Sequence, residues 1–351
     1  MDIAVLLAFA VRNQASDLHL CAGMPPLLRV HGVLRRVNLQ APTGPQLQQW
    51  LQALMPAALH PRYAQGRECD FAIELAALGR FRVHAFLRQG GPAAAIRHLG
   101  REPPTLAQLG APPLCAELAE RARGLVLVTG PTGAGKSSTL AAMIRHLNET
   151  RALHILTIED PIEFIHTPQR ALISQRELGT HTADLPAALR AALRADPDVL
   201  LVGELRDADT IRLALTAAET GHLVLGTLHA ASAARTVERM LDVFPAGEKE
   251  PARAMLAESL QGVIAQTLLP TADGRARVAA HELLVATPAV RNLIREGRSA
   301  QLLSLMQAGA AQGMQTLEAA LQRLHQQGRI SAQTLRQHLG QEHQAGPGMA
   351  V

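Results

Sequence analysis

Residues 125–140 read LVLVTGPTGAGKSSTL. Gly130, Gly135, Lys136 and Ser137 fit G-x-x-x-x-G-K-[ST], the spacing of a loop that wraps a nucleotide's phosphates. Pro131, Thr132, Gly133 and Ala134 fill the loop, and Ser138 follows it. The glycines let backbone N–H groups turn inward on an anion, and the helix that starts at the loop's end adds the positive end of its dipole. The chain has two lysines among its 34 basic residues, so a lysine at 136 stands out against an arginine-rich background. A compact ammonium can reach the β- and γ-phosphates as a point charge, which a planar guanidinium does not reproduce. Ser137 is placed to hold Mg²⁺ through its hydroxyl. This chemistry is that of ATP with Mg²⁺; no N-K-x-D guanine-reading motif is present.

Other residues able to do chemistry follow apolar runs. HILTIEDPIEFIH carries Glu159, Asp160 and Glu163, with Pro161 stopping the strand. DVLLVGELRD carries Glu204, and HLVLGTLHA carries His229, with His222 seven residues earlier. Phosphate-loop enzymes usually close their second acidic strand with an aspartate that helps to hold the metal. Here the run Val199 to Val202 is followed by Gly203 and then Glu204. Glu204 is therefore the residue expected to orient the attacking water, and the metal would draw on Ser137, Glu163, Glu204 and water. A histidine beside a γ-phosphate can sense it by hydrogen bonding. His222 and His229 flank one strand, so one is expected near each end.

The elements that must position these residues are legible in outline. Over the first hundred residues SDLHL, PLLRVHGVLRRV (two strands about His31 and Gly32), GRFRVHAF and AAAIRHL read as strands, and TGPQLQQWLQALM reads as a helix. The expected fold is α/β: a small α+β domain over 1–99, a Pro- and Gly-rich linker or hinge over 100–113, and a nucleotide-binding core over 114–285. A helical region over 286–340 and a disordered tail over 341–351 complete it. In the core, GLVLVTG, HILTIED, DVLLVGE and HLVLGTLHA alternate with helical patterns, predicting a parallel sheet covered on both faces. Ligands on such sheets bind at the carboxyl ends of the strands. No internal repeat stands out.

Composition narrows the function class. At 351 residues and 48% hydrophobic content the chain can build two cores. No apolar run reaches the roughly 18 residues of a membrane span, and the N-terminal MDIAVLLAFAVRNQ carries Asp2 where a signal peptide wants positive charge. No membrane insertion is expected. Cys21, Cys69 and Cys115 are dispersed and odd in number, which excludes a disulfide framework and a four-cysteine zinc module and suits a reducing cytosol. A net charge of +4 allows an acidic partner without requiring one, and 2% aromatic residues supply little stacking for single-stranded nucleic acid. A nucleic-acid-translocating ring and a non-hydrolysing nucleotide switch are the rivals from other classes. The first is disfavoured by the scarce aromatics, the second by Glu204.

The phosphate loop, the acidic box around ILTIEDPIEFIH, LRADPDVLLVGELRD and the histidine box ETGHLVLGTLHAASA together resemble the secretion ATPases of type II secretion and type IV pili. ASDLHL, GRFRVHAF, AVRNLIREG and GMQTLEAAL point to the pilus-retraction, or twitching-motility, branch of that family. The likeness runs from Met1 to about residue 340. It implies a cytoplasmic hexameric ring whose subunits join a PAS-like N-terminal domain to a RecA-like ATPase domain. The ring would act at the cytoplasmic side of an inner-membrane pilus platform protein, with no nucleic acid involved. It also implies that arginines of the small domain, Arg82 and Arg97, approach the bound nucleotide, with Arg194 and Arg206 weaker candidates for sensing or subunit contact. Ala230 and Ala231 depart from the pattern, since relatives often carry hydroxyl residues there. The chain also has neither the extra N-terminal domain nor the zinc module common among assembly and secretion members. Retraction is accordingly expected over pilus assembly or type II secretion.

Overall fold

The computed structural model describes residues 2–30, 32–76, 78–99 and 102–344, the side chains of 340–344 excepted. The chain divides into two compact units. The first is Met1–Glu102 with Pro161–Ile165, and the second is Pro103–Asp160 with His166–Val351.

In the first unit α1 (Ile3–Arg12), β1 (Asp17–Cys21), β2 (Met24–Val30), β3 (Val33–Arg36), α2 (Gly44–Leu54), α3 (His60–Ala64), β4 (Cys69–Leu75), β5 (Gly79–Arg88) and β6 (Gly91–Leu99) follow one another. Asp2 and Thr43 cap α1 and α2 by accepting from the N–H groups of Ala4 and Gln46. The strands form one antiparallel sheet in the order β3-β2-β1-β6-β5-β4. Alternation sorts its faces. Leu18, Leu20, Phe81, Val83, Ala85 and Ile96 point to a core shared with Ile3, Leu6 and Leu7 of α1 and Leu47 and Leu51 of α2. Charged residues therefore fall on the opposite face. The strand β4, which the sequence reading did not pick out, is an edge, and His31 lies outside the described residues.

The second unit contains α4 (Leu114–Ala119), β7 (Gly124–Thr129), α5 (Lys136–Thr150), β8 (His154–Glu159), β9 (Leu172–Glu177), α6 (Leu185–Ala192), β10 (Val199–Val202), α7 (Ala208–Glu219), β11 (Leu223–Leu228) and α8 (Ala233–Asp242). It continues with α9 (Lys249–Ser259), β12 (Leu260–Pro270), β13 (Arg277–Val285), α10 (Pro288–Arg295), α11 (Leu302–Ala308), α12 (Leu317–Gln326) and α13 (Ala332–Gln344). Its seven-stranded sheet has the order β13-β12-β7-β11-β10-β8-β9. Six strands are parallel, but β13 runs antiparallel to β12. The four strands read from the sequence are parallel as expected, and β13 adds an antiparallel edge because the 271–276 connection is too short for a crossover.

Strands β7 and β11 are buried at every position. Val126, Val128, Ile155 and Ile264 pack with α4 and α5 on one face. Leu125, Leu127, Ile158 and Val202 pack with α6 to α9 on the other. The last helices build a smaller cluster, in which Leu321 and Leu324 of α12 cover Leu269, Val278 and Ala280. Helix α13 reaches Gln344, into the segment expected as a tail, while 345–351 lie outside the described residues.

Candidate nucleotide-binding site

The loop Gly130–Gly135 joins β7 to α5 at the carboxyl edge of the second sheet. Gly130 has φ 147°, and a Cβ there would stand 2.3 Å from the Gln266 carbonyl oxygen, so only glycine fits. Gly135, at φ 88°, takes the left-handed conformation that starts α5. Pro131, Thr132 and Gly133 are exposed, Ala134 is buried, and Ser137 and Ser138 are half-buried in the first helical turn. The Lys136 ammonium folds back over the loop, donating to the carbonyls of Gly130 at 2.9 Å and Pro131 at 3.0 Å. It also lies 3.4 Å from His229 Nδ1.

Parallel register sets the neighbouring strand ends beside this loop. Val202 is level with Ile158 and Gly226, and Thr129 with Leu228. Gly203 and Glu204 therefore emerge after β10 on the same edge where His229 emerges after β11. His229 Nε2 is 3.3 Å from Glu204 Oε1, and Arg206 donates to Glu204 Oε2 at 2.6 Å. Lys136, His229, Glu204 and Arg206 thus form one connected cluster. Burial pushes the Glu204 carboxyl up, but the Arg206 hydrogen bond and the charges of Arg206, His229 and Lys136 outweigh it and hold the group below its ordinary value. The same bond raises the Arg206 guanidinium.

The glycine in place of an aspartate at 203 also has a physical cause. A Cβ there would press on the backbone of β8, at 3.2 Å from Ile158 O and 3.3 Å from Glu159 Cα. Gly203 N donates to Ile158 O at 2.8 Å, so the two strand ends are drawn together and the acid is displaced to 204.

His222 is not brought to the cluster. It precedes β11 at the far end of that strand, where its Nδ1 lies 3.0 Å from Ala217 O and its carbonyl accepts from Gly124 N. A six-residue strand at roughly 3.3 Å per residue puts about 20 Å between that end and the phosphate loop. Glu159 accepts from Thr157 and Gln175. Glu163 belongs to Pro161–Ile165, the segment that clusters with the first unit. Arg194 donates to Arg190 O just past the end of α6.

In the first unit Arg82 and Arg97 are register partners on β5 and β6. One row crosses the charged face of the sheet: Arg29, Asp17, Arg97, Arg82. Asp17 organises it. Its Oδ1 accepts from Arg97 Nε at 2.9 Å, and its Oδ2 accepts from Ser16 Oγ at 2.8 Å and stands 4.0 Å from Arg29 Nε. Arg97 is anchored at Nε, with its side chain 57% exposed.

Asp17 was not singled out from the sequence, and neither was Gln266. Gln266 is buried in β12, accepting from Thr139 Oγ1 at 2.8 Å and donating to Ala134 O at 2.6 Å. A glutamine interrupting the apolar run VIAQTLL was the available signal. Glu282, buried, accepts at the start of α8 from the N–H of Ala233, the last residue of the histidine box. The positive-φ glycines, the inward ammonium and the Ser137 hydroxyl fit a triphosphate. Among the described residues no three His, Cys, Asp or Glu side chains cluster as a metal site.

A nucleotide loop on a largely parallel α/β sheet, with a glutamate and a histidine converging on its lysine, describes a class of nucleotide-binding protein. The chain belongs to the family described as Type II/IV secretion system protein, whose model matches residues 2–346. It is 54% identical over 311 residues to "Twitching motility protein" of Neisseria gonorrhoeae, covering 89% of this chain and 83% of the relative. It is 51% identical to "Type IV pilus retractation ATPase PilT" of Pseudomonas aeruginosa, covering 96% of this chain and 98% of that one. Its fold matches a crystal structure of the pilus retraction motor PilT with bound ADP at a TM-score of 0.87 and 42% identity, over 96% of each chain. The family resemblance expected from the sequence motifs, and its pilus-retraction branch, are borne out. Among the described residues no helix is long and apolar enough to cross a membrane.

Proposed function

We propose that the chain is an ATP-hydrolysing motor that powers retraction of type IV pili. The observation that carries this is the connected cluster of Lys136, His229 and Glu204 on a phosphate loop, in a chain half-identical to relatives named for twitching and pilus retraction. The loop N–H groups and Lys136 hold the phosphates, and Ser137 holds Mg²⁺, aided by Glu163 and Glu204. Mg²⁺, when bound, neutralises charge on the phosphates. Glu204 orients the attacking water, and His229, touching both Lys136 and Glu204, reads whether a γ-phosphate is there. Arg82 and Arg97 offset charge on the transferred phosphoryl group, an effect worth as much as ~10³ to 10⁵ in rate for arginine fingers elsewhere.

In this reading the first unit is a PAS-like domain and the second a RecA-like one, joined by a hinge over 100–113. Nucleotide moves them only by binding one arrangement better than another. Six subunits close a cytoplasmic ring that works on a membrane-embedded pilus platform. The test is a count of surface pili on cells whose own copy is replaced by Lys136→Ala. Excess pili with lost twitching is the expected result. Bald cells would make this an assembly motor, and unchanged pili and movement would overturn the proposal.

A further inference from the structure

We propose that Gln266, on a strand that contributes nothing to the phosphate loop's sequence, is a positioning residue that sets the loop's shape for nucleotide. The inference rests on the reading of Gly130–Ser137 as the nucleotide site. Three contacts converge on this one residue. Its side-chain amide donates to Ala134 O at 2.6 Å, inside the loop. Its side-chain oxygen accepts from Thr139 Oγ1 at 2.8 Å, in the first turn of α5. Its main-chain oxygen would stand 2.3 Å from a Cβ on Gly130, so Gly130 is backed directly against it. One buried side chain thus bonds the loop near its end and the first turn of α5, and its carbonyl backs the loop's first residue, on a strand paired to β7 through Ala265 and Thr129.

The chemistry needs an amide. One end must donate to a carbonyl and the other must accept from a hydroxyl, and Gln offers both on one planar group without a charge. Turning the Ala134 carbonyl toward Gln266 commits the Gly135 N–H, which shares its peptide plane, to the opposite side of the loop, where an anion would sit. Glutamate at 266 would keep the acceptor for Thr139 but lose the donor for Ala134 O. A proton on that carboxyl would restore the donor.

The test measures ADP binding to the full chain by calorimetry, with thermal unfolding of each variant alongside. Gln266→Leu and Gln266→Glu are expected to weaken ADP about tenfold or more at pH 8, as lost second-layer hydrogen bonds do at metal sites. Gln266→Glu, relative to the unchanged protein at each pH, is expected to regain most of that loss by pH 6, because burial raises a carboxyl's pKa. His281, the cross-strand partner of Gln266, is pushed down to about 4 by burial and stays neutral over this range. The double variant Thr139→Val with Gln266→Leu replaces both ends of a buried hydrogen bond by apolar groups and is expected to regain stability without regaining affinity.

Recovery of affinity along with stability in the double variant would make Gln266 a core residue only and overturn the proposal. So would a loss in Gln266→Glu that is the same at both pH values, or wild-type affinity in the single variants. Lys136→Ala separates the two levels: if it binds ADP normally, the nucleotide-site reading itself fails. If it does not while the Gln266 variants do, the positioning role alone fails.

Discussion

Both carboxylate oxygens of Glu204 are engaged, one by Arg206 and the other by His229. The Arg206 guanidinium on one oxygen favours the ionised form, and an ionised carboxylate can only accept hydrogen bonds. It can therefore orient a water through that water's hydrogen, with a lone pair that its two partners leave open. Arg206 is the more exposed of the two, with a side chain 71% exposed against 42% for His229. In the proposed hydrolysis its grip on Glu204 would also set where activity fails in acid. The depressed carboxyl keeps its charge to lower pH than an ordinary glutamate, so hydrolysis should persist there. Replacing Arg206 by alanine removes the strongest charge-stabilising contact, and the acidic limb of the pH–rate profile should move to higher pH. Hydrolysis rates from pH 4.5 to 8 read this directly, and a limb that stays put would show that Arg206 does not tune Glu204.

At the scale of elements, the packing between β12, β13 and α4 rests on one missing side chain. A Cβ on Gly262 would meet Leu284 O at 2.9 Å and the Leu118 methyls at 2.9 Å. The first contact is to backbone of the paired strand β13, which cannot swing aside. Gly262→Ala is an overpacking change and should cost about 1–3 kcal/mol, read as a lower urea midpoint at unchanged slope. An unchanged midpoint would mean that the β12–β13 hairpin yields more easily than a paired strand should. The four strands that deliver the phosphate loop, Glu159, Glu204 and His229 were legible because each is an apolar run ending in a polar residue. Of the edge strands, β3 was read in PLLRVHGVLRRV, but β4, β9 and β13 were not. β9 reads LISQRE, with no fully buried face to impose alternation. Gln266 was hidden for another reason: its partner in the loop is 132 residues away, and only the pairing of β12 with β7 brings them together. Arg82 and Arg97 could be named singly, but that they oppose each other, with Asp17 holding one of them, is a property of strand register.

Over the whole molecule, acid sensitivity should come chiefly from the second unit, which buries two histidines in their neutral form, although burial also lowers His19 of the first unit. His166, which begins that unit's return after Pro161–Ile165, is 6% exposed, and His281 on β13 is 3% exposed. Burial lowers both to about 4 from 6.5, with the charge of Arg145 adding to the effect on His166. In the unfolded chain they titrate near 6.5. Between those values the unfolded state binds more protons, so stability rises with pH and is lost as pH falls below about 6.5. Each histidine contributes roughly 3 kcal/mol across the full window, from about 1.4 kcal/mol per pH unit. Few carboxylates titrate between pH 6.5 and 5, so urea unfolding followed over that range isolates the histidines. The unfolding free energy should fall by about one proton's worth per pH unit near pH 6.5 and by nearly two near pH 5, and His281→Leu should remove about half of that slope. A slope that is the same in the variant and the unchanged protein would mean that His281 is protonated, or hydrated, within the fold.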